Sequence, residues 1–228
     1  MPISVSDPTA RRSARRMRVA LLSASFLCLS LVQTAAFAQL DSAGFCNLDL
    51  RNPFGPFDYR TASADKREIV EINHFNENVE SLIKGQTGPI GGDLAYTLRA
   101  FPNHPRALMA MARLARKEGN PKPKGSNYTA ECWFERALEF QPEDPEVHLV
   151  YGIELLRNGK VEQSIAQLQT AEKSLGNSPN VAYNLGLAYF DSNDFDKALT
   201  YAHKAYALGF PLPGLRDKLV RSGHWKDN

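Results

Sequence analysis

Pro145-Glu-Val-His-Leu-Val-Tyr-Gly-Ile-Glu-Leu-Leu156 and Pro179-Asn-Val-Ala-Tyr-Asn-Leu-Gly-Leu-Ala-Tyr-Phe190 are two copies of one pattern, 34 residues apart. Pro145 aligns with Pro179, and Gly152 with Gly186. An earlier copy shows its second half as Ala130, Phe134, Ala137 and Pro142. Its first half begins at Pro105, 40 residues before Pro145, so it carries six extra residues. The turn Lys117–Asn127 holds Gly119, Pro121, Pro123 and Gly125 and takes the insertion. A period of this length predicts an array in which each unit is one supersecondary element that covers its neighbour's open face. Asp144-Pro145 and Ser178-Pro179 each set an N-cap residue before a proline at the first helical position. Gly159 and the stretch Asp191–Asp194 end the helices that follow.

The pattern resembles the tetratricopeptide repeat. Leu185-Gly186, Tyr189, Ala198 and Ala205 occupy the matching positions in the last copy. Tyr151-Gly152, Leu155, Ser164, Leu168 and Ala171 do so in the middle one. The resemblance implies an all-α solenoid of antiparallel helical hairpins, with small residues where the backbones cross. Repeats are expected over 105–144, 145–178 and 179–212. A degenerate helical repeat is expected over 66–104, with a first helix near 76–84 and a second over Asp93–Phe101 capped by Asp93. Residues 213–228 read as a capping helix and tail, with Leu215, Leu219 and Val220 covering the last repeat.

Residues 39–65 do not fit the repeat. Asn52-Pro-Phe-Gly-Pro-Phe-Asp-Tyr-Arg60 is turn-rich and aromatic, and reads as an ordered, extended arm. With Gly91–Leu108, this arm resembles a group of exported proteobacterial repeat proteins of unassigned function, a likeness that transfers no catalytic residues.

Residues 1–38 read as a secretory signal peptide. Five arginines precede the apolar run Val19–Val32, and Ala36-Phe-Ala38 forms a small-x-small cleavage site. Cleavage is expected after Ala38; the alternative is an uncleaved anchor in the inner membrane. The chain has 228 residues and a net charge of +2, but without this leader 22 bases face 24 acids. The basic balance therefore belongs to the leader and gives no nucleic-acid-binding face. Outside the leader two cysteines remain, Cys46 and Cys132, and an exported chain favours their pairing.

No metalloprotease, nucleophile-elbow, phosphate-loop or dinucleotide motif occurs, and no metal or cofactor is expected. Glu143, Asp144 and Glu146 cluster at a helix start, where the dipole favours acids. His148 reads as packing. The tetratricopeptide likeness implies a concave groove lined by the first helices. Its basic end would be Arg106, Met109, Arg113 and Arg116. Its apolar remainder would be Leu149, Ile153, Leu156, Tyr183, Leu187 and Phe190, with Asn184 as a polar position. The expected role is a non-enzymatic adaptor in the periplasm, binding a protein or peptide in that groove, with membrane contact only if the leader stays attached. In the alternative, the chain is an accessory subunit of an envelope complex, its groove filled by its own Phe54, Phe57 and Tyr59. The loop holding Lys122 and Lys124 reads as a solvated insertion.

Overall fold

The computed structural model describes residues 46–227; the signal-peptide reading lies outside them. Among the described residues there are ten helices and no strand. They are α1 (Ala64–His74), α2 (Glu77–Glu80), α3 (Ile90–Ala100), α4 (Pro105–Glu118) and α5 (Ala130–Phe140), then α6 (Pro145–Arg157), α7 (Val161–Leu175), α8 (Pro179–Asp191), α9 (Phe195–Ala207) and α10 (Gly214–Arg221). α6 packs on α7, α7 on α8 and α8 on α9, which makes a solenoid of helical hairpins. None of the described helices is long and apolar enough to cross a membrane.

The helix ends follow from local chemistry. His104, Asp144 and Ser178 each accept a backbone N–H with the side chain, and proline follows at the first helical position. Thr129 and Asp194 do the same for α5 and α9. After α6 and α8 the chain turns through left-handed backbone at Gly159 (φ 73°) and Asn193 (φ 64°), the two residue types that tolerate it best.

The small residues sit where helices meet. A Cβ on Gly152 would lie 2.6 Å from Leu168 Cγ, and one on Gly186 would lie 2.4 Å from Leu215 Cδ2. Leu168 and Leu215 are wholly buried, so neither has room to retreat. Ser164 turns its hydroxyl to the Gly152 carbonyl at 2.7 Å, which satisfies a polar group in a dry crossing. Capping helix α10 covers the last hairpin with Leu215 and Leu219, but Val220 faces solvent, 53% exposed. Its position after Leu219 turns it about 100° away from the buried side.

The N-terminal hairpin departs from expectation. The helix facing α3 is α1, and the helix expected near 76–84 shrinks to the single turn α2. α3 starts at Ile90, so Asp93 is not its cap. Its buried carboxylate instead accepts the N–H groups of Gln86 and Thr87, at 2.7 and 3.2 Å, and the Thr87 hydroxyl at 2.6 Å. His74 sits 3.0 Å away on the other side. Asp93 thus ties down the turn before its own helix. The insertion between α4 and α5 is also packed and not merely solvated: Pro123 and Ser126 are buried, and a Cβ on Gly91 would come within 2.5 Å of the Lys124 carbonyl.

The arm docks along the outside. Cys46 and Cys132 form a disulfide, and Arg136 donates to the carbonyls of Asn47 and Asp49. Phe54, Phe57 and Tyr59 pack with Val70, Ala100 and Phe101. Phe57 N–H reaches the Ala100 carbonyl at 2.8 Å, and Gly55, at φ 102°, passes so close that a Cβ would sit 2.6 Å from the same oxygen. Asn103, fully buried, donates to Asp58 at 2.8 Å and to Asp144 at 2.7 Å, joining the arm to the cap of α6.

Two outcomes follow. Gly186→Leu is expected to lower unfolding free energy by about 1–3 kcal/mol, the range for overpacking a full core, measured by urea denaturation. Replacing both Cys46 and Cys132 by serine opens a loop of 86 residues. The same titration should then show a loss of about 3–5 kcal/mol from loop-closure entropy.

Candidate functional site: the face of the first helices

α4 packs beside α6, and α6 beside α8, so the first helices of successive hairpins form one continuous face. Helical spacing puts residues three and four apart on that face. The structure places the eleven sequence-derived groove residues there in quite different states.

The basic end is occupied by the chain itself. Arg106 forms a forked ion pair with Glu80 on α2, its Nε 2.8 Å from the carboxylate. This pairing holds the Glu80 carboxyl below its ordinary range and raises the guanidinium. Arg113 donates to the Glu80 carbonyl at 2.6 Å, and Lys117 to the Leu82 carbonyl at 2.7 Å. Arg116 pairs with Glu154, whose side chain is buried within α6 and also accepts from Asn158 at 3.2 Å. The short α2 and the turn after it therefore lie over the start of the groove. Met109 is half-buried among these groups.

The apolar part divides. Leu149 is core, 7% exposed. Tyr183 stacks on Phe210 with ring centroids 3.8 Å apart, and Phe190 meets Phe195 edge-on at 5.4 Å. Lys218 of α10 lies 5.0 Å above the Phe190 ring and pairs with Asp191 at 2.9 Å. Ile153, Leu156 and Leu187 are the half-buried aliphatic remainder, packed on the C-terminal core. Asn184 donates to the Asn180 carbonyl one turn back, at 2.8 Å, so it is satisfied within its own helix.

The arm does not fill this face. Its aromatics lie against α1 and α3, which corrects the expectation that Phe54, Phe57 and Tyr59 occupy the groove. Glu80 and Glu154 were missed as groove residues. Glu154 carried a signal: it is the lone acid in a run of apolar residues from Val147 to Leu156. Nothing local marked Glu80.

A second polar cluster sits beside this face. His104 is wholly buried, stacked on Tyr59 at 3.9 Å. Its Nδ1 accepts the Ala107 N–H at 3.4 Å as the cap of α4, so its proton is on Nε2, 3.5 Å from Glu71 Oε1. Tyr59 donates its hydroxyl to the same oxygen at 2.8 Å. Burial pushes the His104 pKa down, while His104 holds the Glu71 carboxyl below its usual range. Burial, with Glu71 beside it, pushes Tyr59 up to about 12. His148 is buried with its two ring nitrogens hydrogen-bonded to Gln167 and the Pro142 carbonyl.

Among the described residues one group, Cys46, Cys132 and Glu135, brings three metal-type ligand atoms within 4.8 Å. Its two sulfurs are bonded to each other, which withdraws both as thiolate ligands.

A family model described as anaphase-promoting complex, cyclosome, subunit 3, matches residues 124–205, a region running from before α5 to within α9. That model is of tetratricopeptide type, and the hairpins here form a solenoid like those of such repeats. A solved structure described as "Functional Characterization of Pseudomonas Aeruginosa pilF" is 20% identical, covering 68% of this chain and 67% of that one, with a TM-score of 0.49. No curated protein matches the chain.

Because the folded state keeps His104 neutral, the unfolded chain binds its proton more readily. That part of the stability is present above the ordinary histidine pKa of 6.5 and is lost as pH falls through the lower folded value. Unfolding free energy measured between pH 7.5 and 5 should fall with pH. His104→Asn, which keeps a side-chain cap acceptor, should flatten that slope. Equal slopes in the two proteins would refute the assignment.

Proposed function

We propose that this chain is a non-enzymatic adaptor of the bacterial cell envelope that holds a protein segment against the α6/α8 face. The supporting observation is the half-buried aliphatic stripe Ile153, Leu156 and Leu187 on a continuous face of first helices. Repeats of this type serve as scaffolds for protein partners. A partner segment with apolar side chains at helical or extended spacing would complete that stripe. Its acidic groups would have to compete with Glu80 and Glu154 for the arginines, so apolar anchors, and not charge, would supply the affinity.

Export to the periplasm is part of the same proposal. It rests on the n-region, apolar run and cleavage site of residues 1–38, and on a disulfide that an oxidising compartment would preserve. The mature chain would begin at Gln39.

Crosslinking pull-down from the envelope fraction tests the adaptor reading. Ile153→Glu with Leu187→Glu should abolish partner capture while circular dichroism stays helical. Capture unchanged by that folded variant would retire the groove. Loss on Leu48→Glu alone would favour the accessory reading, because Leu48 belongs to the arm, next to the disulfide-bonded Cys46, is 43% exposed and is no part of the α6/α8 face. N-terminal sequencing of the periplasmic protein checks cleavage.

A further inference from the structure

A cavity of about 440 Å³ lies between the end of α9, the turn into α10 and the residues after α10. Its size falls in the lower part of the range for ligand pockets. His203, Tyr206, Phe210, Pro213, Arg216 and Trp225 line it. Three of these present aromatic surface. Arg216 sits 5.0 Å over the Trp225 ring, and the His203 ring lies 4.8 Å from the same indole.

The Tyr206 hydroxyl is spent: it accepts the Arg216 backbone N–H at 3.0 Å and donates to the Leu212 carbonyl at 3.3 Å. Proline offers no N–H. The donors that remain to reach a ligand are the Arg216 guanidinium and the Trp225 indole N–H, with the His203 imidazole beside them offering one donor and one acceptor. The chain itself shows what those donors pair with. Asp227 places one carboxylate oxygen 2.9 Å from Trp225 Nε1 and 3.9 Å from the Arg216 guanidinium. The second distance is too long for a hydrogen bond, so the guanidinium, 55% exposed, keeps unused capacity.

We infer that this cavity takes the carboxyl end of a peptide whose last residue is aromatic. The terminal carboxylate takes the place that Asp227 marks, and the ring lies against Tyr206, Phe210 and Trp225. The neighbouring apolar surface indicates a peptide over a free aromatic acid. Leu208 and Leu212, next to lining residues in the chain, are 37% and 59% exposed; Val220, one turn after Arg216, is 53% exposed. A free acid leaves them wet, whereas the residues preceding a peptide terminus can cover them. Phe210 stacks on Tyr183 of α8, so the cavity adjoins the α6/α8 face, but it shares none of Ile153, Leu156 and Leu187 and stands whether or not that stripe binds a partner.

The probes are the peptide Gly-Ser-Leu-Leu-Phe with a free carboxylate, its C-terminal amide, and N-acetylphenylalanine. Each is titrated into the purified protein by calorimetry and by tryptophan fluorescence. Trp133 is buried, so the fluorescence change should come from Trp225 and vanish in Trp225→Phe. The amide should bind about tenfold more weakly, the scale of one charge-assisted hydrogen bond. Arg216→Gln should erase that difference, and Asp227→Asn should tighten the free-carboxylate peptide severalfold by removing its competitor. Each variant is checked for wild-type melting. Ile153→Glu with Leu187→Glu should bind the peptide as the parent does, which separates this site from the groove. Equal binding of acid and amide, no response at millimolar peptide, or N-acetylphenylalanine binding as tightly as the peptide would each overturn the inference.

Discussion

Backbone proximity at the helix crossings governs the rest of this structure. Where Gly152 faces Leu168 and Gly186 faces Leu215, the absence of a side chain lets a large aliphatic group lie directly on the neighbouring backbone. That closeness draws the two helices of the α6/α7 hairpin together and allows α10 to close the end of the stack. A hairpin on its own would leave its second apolar side in water; stacked, each covers the other. Close packing also makes the arrangement intolerant, since a dry interior has few voids to absorb an extra methyl group.

The arm extends this logic with polar chemistry. Asp144 is buried and accepts backbone N–H groups at the start of α6, which would leave its second oxygen unsatisfied. Asn103 supplies a donor to that oxygen and, with its other amide hydrogen, holds Asp58 of the arm. Arg60 lies 3.1 Å from the same Asp144 oxygen. A capping residue thereby becomes the anchor for a segment more than 80 residues away. Satisfied buried networks of this kind specify one register, because any slip strands a charge.

The groove shows how self-pairing reshapes a binding surface. Arg106, Arg113, Arg116 and Lys117 form a basic row in sequence, yet each meets an oxygen of the chain's own α2, following turn or α6. The pairs on the rim are partly solvated and individually add little stability. Their effect is on recognition, because they quench the field a partner would meet. The aliphatic stripe on α6 and α8 is left as the face's remaining capacity.

The amino-acid order alone determined the repeat, the helix starts at Pro105, Pro145 and Pro179, the small residues at the crossings and the absence of a recognisable catalytic motif. These depend on short-range rules of capping, turn geometry and periodicity, which act within a few residues. Only the tertiary structure decided that α1 and not residues 76–84 faces α3, that Asp93 secures a turn instead of a helix end, that the aromatic arm packs on Phe101 outside the groove, and that Glu80 neutralises Arg106. Each of these turns on which distant groups can satisfy a buried or charged atom at lowest cost, and that competition is settled in space, among residues whose separation along the chain says nothing of their distance.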